Sequence, residues 1–233
     1  MRRNYFISGF VLFSLCAIIP IDNARGAERF RRTVVKPPDQ SQLKPELKTF
    51  INDLKIAVIK KDDGFLLNHI SPDIIWSFGE DTGLKSFIKE WKLDNNPAKS
   101  PVWSELSAVL SPGCAMDNGE AVFPYVFSMF PDDFDATEYC VLTGTGINVR
   151  EKPDSKSNVL ASLDYEVVKR LNEMGSSATE KINGETFPWE KIMTSDGVTG
   201  YVYGKYLASP LGLRAVFTEK NKQWYLRVFT AGD

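Results

Sequence analysis

From Pro45 onward the apolar positions fall at helical spacing. Leu47, Phe50, Ile51, Leu54, Ala57 and Val58 make one continuous stripe, and Lys48, Asn52, Asp53 and Lys55 fill the other face. That is the pattern of a helix half-buried on a core. Lys60-Lys61-Asp62-Asp63-Gly64 ends it, with Gly64 available for a left-handed cap. A shorter helix carries Phe65, Leu66 and Leu67, with His69 near its end, and Ser71-Pro72-Asp73 stops it. Ile74 to Phe78 then alternates as a strand does, with Ile74, Trp76 and Phe78 on one side. Leu84, Phe87, Ile88 and Trp91 return to helical spacing, and Val102 to Leu110 reads as a fourth helix. After a Ser111-Pro112-Gly113 turn, two apolar runs, Ala121 to Phe123 and Tyr125 to Phe127, flank Pro124. The missing N–H of that proline suits an edge strand or a bulge.

Beyond Val141 the runs shorten and alternate: Val159 to Leu163, Val167 to Leu171, Pro188 to Met193. Clusters of Gly, Pro, Asn, Asp and Ser separate them, which predicts short strands and tight turns in a segment sized for one small barrel. Ser195-Asp196-Gly197 reads as a hairpin turn. The segment opens with Asn148, Val149, Arg150 and Pro153. Trp189 and Ile192 follow, then Gly200-Tyr201-Val202, and it closes on Tyr206-Leu207. At these residues it resembles a bacterial SH3 domain, departing from that pattern in a long polar excursion from Asn172 to Thr186. The resemblance implies a binding module of the bacterial envelope and leaves the ligand open.

Two more strands, Leu213 to Phe217 and Gln223 to Phe229, surround a turn at Glu219 to Lys222. A barrel closed by Tyr206-Leu207 has no need of them. The helices of residues 45–110, for their part, have only two early strands to cover them, too few for a stable sheet. Joining the late hairpin to the early strands satisfies both. The expected fold is therefore α+β, a helix-backed four-stranded antiparallel sheet with a small all-β SH3-like barrel inserted. The domains expected are a discontinuous one of residues 43–138 plus 211–233, and a barrel of residues 139–209. Pairing is predicted between residues 121–129 or 74–78 and residues 213–230. In order and pattern of elements alone, the discontinuous domain also resembles the NTF2-like fold. That resemblance implies a small-molecule-binding or enzymatic cone, with the barrel as lid or tether.

Composition, at 43% apolar and 25% charged residues, is ordinary for a soluble protein, but the first 27 residues differ. Arg2 and Arg3 precede an apolar run from Tyr5 to Ile19, then Pro20 and Ala24-Arg25-Gly26-Ala27. This reads as a secretory signal peptide cleaved after Gly26 or Ala27, the run being short for a stable membrane span; an uncleaved anchor is the alternative. Loss of residues 1–26 removes three arginines and one aspartate and moves the formal charge from −2 to −4. A mildly acidic protein is a poor nucleic-acid binder. Residues 28–42 hold Arg29, Arg31, Arg32 and Lys36 without periodicity and read as a flexible basic arm, either a solvated linker or loosely drawn to anionic lipid or wall polymer. A periplasmic or secreted location follows. Cys16 lies within the signal, and an oxidising compartment makes the remaining pair, Cys114 and Cys140, a disulfide candidate; two buried free thiols are the alternative. Two cysteines and the distant His69 cannot complete a zinc site, and no metal or other cofactor is expected.

No catalytic constellation is expected either. His69 sits where a capping group would, and the acid pairs Asp62-Asp63 and Asp132-Asp133 lie in turns. A glycosidase needs two acids roughly 5–9 Å apart across a cleft. Gly144-Thr145-Gly146 lacks the next glycine and the helix of a phosphate loop. If Val202 points into the barrel, Tyr201 and Tyr203 share its outer face. With Trp189 and Tyr206 they would form an aromatic patch suited to an extended peptide or a sugar. The alternative is that Trp189 and one tyrosine plug the barrel end or pack on the helical domain. The reading is a non-catalytic envelope protein holding a cell-wall peptide (peptidoglycan) or an envelope protein partner. The NTF2-like cone stands as the other reading, to be marked by a cavity lined by Trp76, Phe78, Trp91 and Phe127 with an inward acid.

Overall fold

A computed structural model describes residues 29–79, 82–171 and 178–232. The secretory signal expected at residues 1–27 lies outside these residues, and among them no helix is long and apolar enough to cross a membrane. Helix α1, Pro45–Lys60, buries Leu47, Phe50, Ile51, Leu54, Ala57 and Val58, the six residues of the sequence stripe. Its left-handed cap is Lys61, not Gly64. Gly64 instead lies inside α2, Asp63–Asn68, whose first turn is capped by the Asp62 carboxylate accepting from the Phe65 N–H.

Strand β1, Ile70–Ile75, begins and ends earlier than the alternation suggests, so that Trp76 to Phe78, expected as strand, lie beyond it, and it includes Pro72. An edge strand tolerates a proline because its outer donors face no partner. Helix α3, Leu84–Glu90, and helix α4, Val102–Leu110, come next. A tight Asn118-Gly119 hairpin joins β2, Ala115–Asp117, to β3, Glu120–Phe123. The chain then leaves the ladder at Pro124. Tyr125 to Phe127, expected as strand, enters a short helix, α5, Val126–Met129.

The inserted barrel follows. Its strands are β4 (Tyr139–Leu142), β5 (Ile147–Arg150), β6 (Val159–Leu163), β7 (Val167–Arg170), β8 (Thr179–Ile182), β9 (Glu185–Met193), β10 (Thr199–Tyr203) and β11 (Leu207–Ala208). They run in the order β11-β4-β7-β9-β10-β5-β6, with β8 paired to β9. Leu142, Ile147, Val149, Val168, Ile192 and Val202 fill the interior. Gly200 is required here because a Cβ would lie 2.6 Å from the Arg150 carbonyl of the neighbouring strand.

The chain then returns as β12, Arg214–Lys220, and β13, Gln223–Thr230. Ala215, Val216 and Phe217 pair with Phe123, Val122 and Ala121, while Ile70 pairs with Leu226 and Ile75 with Val228. Among the described residues the sheet order is β1-β13-β12-β3-β2. It is mixed, not wholly antiparallel, since β1 runs parallel to β13. Two helices separate β1 from the next strand, so no tight turn dictates its direction. Helices and sheet enclose one apolar core containing Leu54, Phe87, Leu106, Phe123, Phe217 and Phe229.

Two further expectations are corrected. Residues 29–42 are packed, not a flexible arm. Val35 N–H donates to the Tyr165 carbonyl at 2.8 Å and Val167 N–H to the Thr33 carbonyl at 2.9 Å, so the arm lies along the start of β7. Arg31 pairs with Asp133, and Arg32 with the buried Glu166 at 2.7 Å. Cys114 and Cys140, expected as a bridge, are free thiols. Each is buried in a different unit, Cys114 in the helical core beside Gln40 and Cys140 on β4 of the barrel. Burial pushes both thiols up to about 11.

Thiolate is the reactive form, so Cys114 and Cys140 are expected to resist alkylation at neutral pH in the native protein and to react as free thiols when it is denatured without reductant. Recovery of a linked Cys114–Cys140 peptide would overturn this assignment. A chain truncated before Gly212 loses two of the three inner strands of the sheet, β13 and β12, and its helical circular dichroism is expected to lose its cooperative melt. A full helical transition in that truncated chain would contradict the central place of β12.

Candidate functional site

The barrel end beside the β8–β9 hairpin carries a groove of about 530 Å³. One wall is the Thr143–Asn148 turn, the other is Ile182 on the hairpin, and Trp189, Tyr203 and Tyr206 lie between them with Arg150, Ser155 and Tyr165. Backbone pairing produces the aromatic cluster. Trp189 on β9 is the cross-strand partner of Tyr203 on β10, and their ring centroids are 5.6 Å apart. Tyr206, on the 3-10 turn after β10, stands 6.3 Å from Tyr203.

Val202 is fully buried in the barrel interior, so Tyr201 and Tyr203 do project from the other side of β10. They meet different surroundings. The hairpin covers Tyr203, which is 5% exposed, and its phenol lies 3.0 Å from the Glu180 carbonyl and 2.8 Å from that of Glu185. Tyr201 pairs with Arg150 and Lys191 along the sheet and does not line the groove. Trp189 is 2% exposed, while Tyr206 is 39% exposed. Three of the four expected residues thus share one groove, with Tyr206 as its accessible ring.

Sequence reading missed Glu180, which stitches the site together. Its carboxylate accepts from the Trp189 indole N–H at 2.9 Å, the Ser155 N–H at 2.9 Å and the Ser155 hydroxyl. The Ser155 hydroxyl does most to hold this carboxyl below the usual range, helped by the Ser155 and Trp189 N–H groups and opposed by burial. The available signal was Asn183-Gly184, whose successive left-handed residues close β8 onto β9 and carry Glu180 to Trp189.

The pieces that form this site lie within a recognisable unit. A family model described as a bacterial SH3 domain matches residues 145–208, and that part of the chain is a bacterial SH3 domain. Over 80 residues the chain is 35% identical to the probable endopeptidase p60 of Listeria grayi. The aligned part is 32% of this chain and 14% of that protein, so the chain spans a small share of its relative's length. No solved structure matches the chain. The likeness of the helical domain to the NTF2-like fold therefore rests on element order alone.

Replacing Tyr203 by Phe removes a shared donor from two carbonyls in a buried site. The expected loss of stability is about 1–2 kcal/mol, read by denaturant unfolding. Glu180 contributes through a depressed carboxyl, so its stabilisation is present above the ordinary carboxylate range and fades as pH falls through the lower folded value. Glu180→Gln is accordingly expected to be less stable than the parent at neutral pH and to converge with it in acid. A gap independent of pH would contradict the ionised role.

Proposed function

We propose that the chain is a non-catalytic protein of the bacterial envelope, periplasmic or secreted, whose SH3 barrel holds a cell-wall peptide in this groove. The observation that carries the reading is the exposed Tyr206 ring standing beside a rigid Trp189–Tyr203 floor. Flat aromatic rings with polar neighbours hold an extended chain at small entropic cost. The name of the Listeria grayi relative, a probable endopeptidase, keeps a hydrolytic role in view. Two features support binding over hydrolysis. Burial raises both described thiols, opposite to the shift a cysteine nucleophile needs. His69 is packed against Phe50 and Phe65, at 5.4 and 4.2 Å between centroids.

The cone reading has less support. Trp76 and Trp91 pack against the apolar core, Phe78 is exposed, and Phe127 lies under the Arg214 guanidinium. Sedimentation with isolated peptidoglycan tests the proposal. The parent protein is expected to be retained, and Tyr206→Ala to lower apparent affinity about tenfold, near 1.4 kcal/mol, with little change in melting temperature. Unchanged retention of Tyr206→Ala would remove the groove from the mechanism.

A further inference from the structure

We infer that the groove selects peptides by a free carboxylate, and that Arg150 is the residue that reads it; this rests on the proposed peptide-binding role. Among the described residues that line the groove, Arg150 is the one with a charged side chain. Its position follows from β5, where Val149 points into the barrel core and Arg150 to the other side. One guanidinium nitrogen, Nη1, donates to the Ser157 carbonyl at 2.6 Å. That bond anchors one end of the group, and among the described residues no carboxylate pairs with it.

The neighbouring acids do not neutralise it. Asp164 accepts from the Gly146 N–H at 2.6 Å, and Glu180 is held by Ser155 and Trp189. A planar guanidinium with uncommitted donors, beside an aromatic floor that lowers the local dielectric, matches a planar carboxylate. The same two acids at the margins disfavour a polyanion. A phosphate polymer would bring repeated charges past Asp164 and Glu180, whereas a short peptide brings one carboxylate to one cation. The groove's volume of about 530 Å³ falls within the usual range of roughly 300–1,000 Å³ for small-ligand sites.

The test is an amide shift titration of the isotope-labelled full chain with four probes. They are N-acetyl-Ala-Ala-Ala as free acid, the same peptide as C-terminal amide, N-acetyl-Ala-Glu-Ala amide, and polyphosphate. The free acid is expected to bind at least fivefold tighter than the neutral amide, with shifts at Trp189, Tyr203 and Tyr206. A preference for the Glu-bearing amide over the neutral one would assign the same chemistry to a side-chain carboxylate. Arg150→Gln is expected to erase the difference, and Arg150→Lys to keep part of it, since the charge remains and the fork is lost. Melting temperatures of both variants report the fold, and the acid–amide comparison on the parent chain stands without them. Equal binding of acid and neutral amide would overturn the inference while leaving peptide binding intact. Tighter binding of polyphosphate would also overturn it. Absence of shifts with all four probes would defeat the groove reading itself, and the inference with it.

Discussion

The backbone of Arg214–Lys220 is hydrogen-bonded along both edges, to Gln223–Thr230 on one side and to Glu120–Phe123 on the other. A strand so placed cannot be left out of a sheet without breaking it in two. The chain must therefore leave after β3, build the barrel and return. Such a detour is possible because the barrel's first and last strands are neighbours, with Leu207 opposite Leu142 and Ala208 opposite Val141. Entry and exit lie side by side, the usual condition for one domain to be inserted in another.

Two connections alone would leave the barrel free to swing. Residues 29–42 supply a third tie. They run along β7, then reach the helical domain, where the Gln40 amide donates to the Cys114 carbonyl at 2.9 Å. Under this strap, Val35, Ala115, Tyr125, Val126, Val141 and Val167 form a small core drawn from both units. The Tyr125 hydroxyl is buried there and donates to the Val35 carbonyl at 2.8 Å; burial keeps this phenol in its neutral form well above its usual range. Glu166 at the same seam is 3% exposed and would carry an uncompensated charge without Arg32. The arginines read as a basic arm are thus, in two cases, partners of specific acids.

The groove depends on a different local device. The β8–β9 hairpin adds a wall to one side of the SH3 barrel and turns Tyr203 from a surface ring into an anchored one. Its tip pairs Lys205 with Glu185, and its first strand presents Glu180 to Ser155 and Trp189. The floor is consequently rigid before any ligand arrives, which reduces the ordering cost of binding.

Periodicity was a reliable guide wherever one face meets one core. It identified the buried stripe of α1 residue by residue, the inward Val202, and the late hairpin with its need for partners. Turn chemistry was legible too, although Asn118-Gly119 and Asn183-Gly184 passed unread as hairpin signals. Parallel pairing of β1 with β13 was not legible, because a strand alternates in the same way whichever direction its neighbour runs. Nor was the state of the cysteines, since pairing depends on where two Sγ atoms end up, and Cys114 lies in the helical core while Cys140 is buried on β4 of the barrel. The order in residues 29–42 and the burial of Tyr203 have the same origin. Each comes from contacts between separate segments, Arg32 with Glu166 across 134 positions and Tyr203 with Glu180 and Glu185 across 23 and 18, and the periodicity within one segment carries no record of its partner.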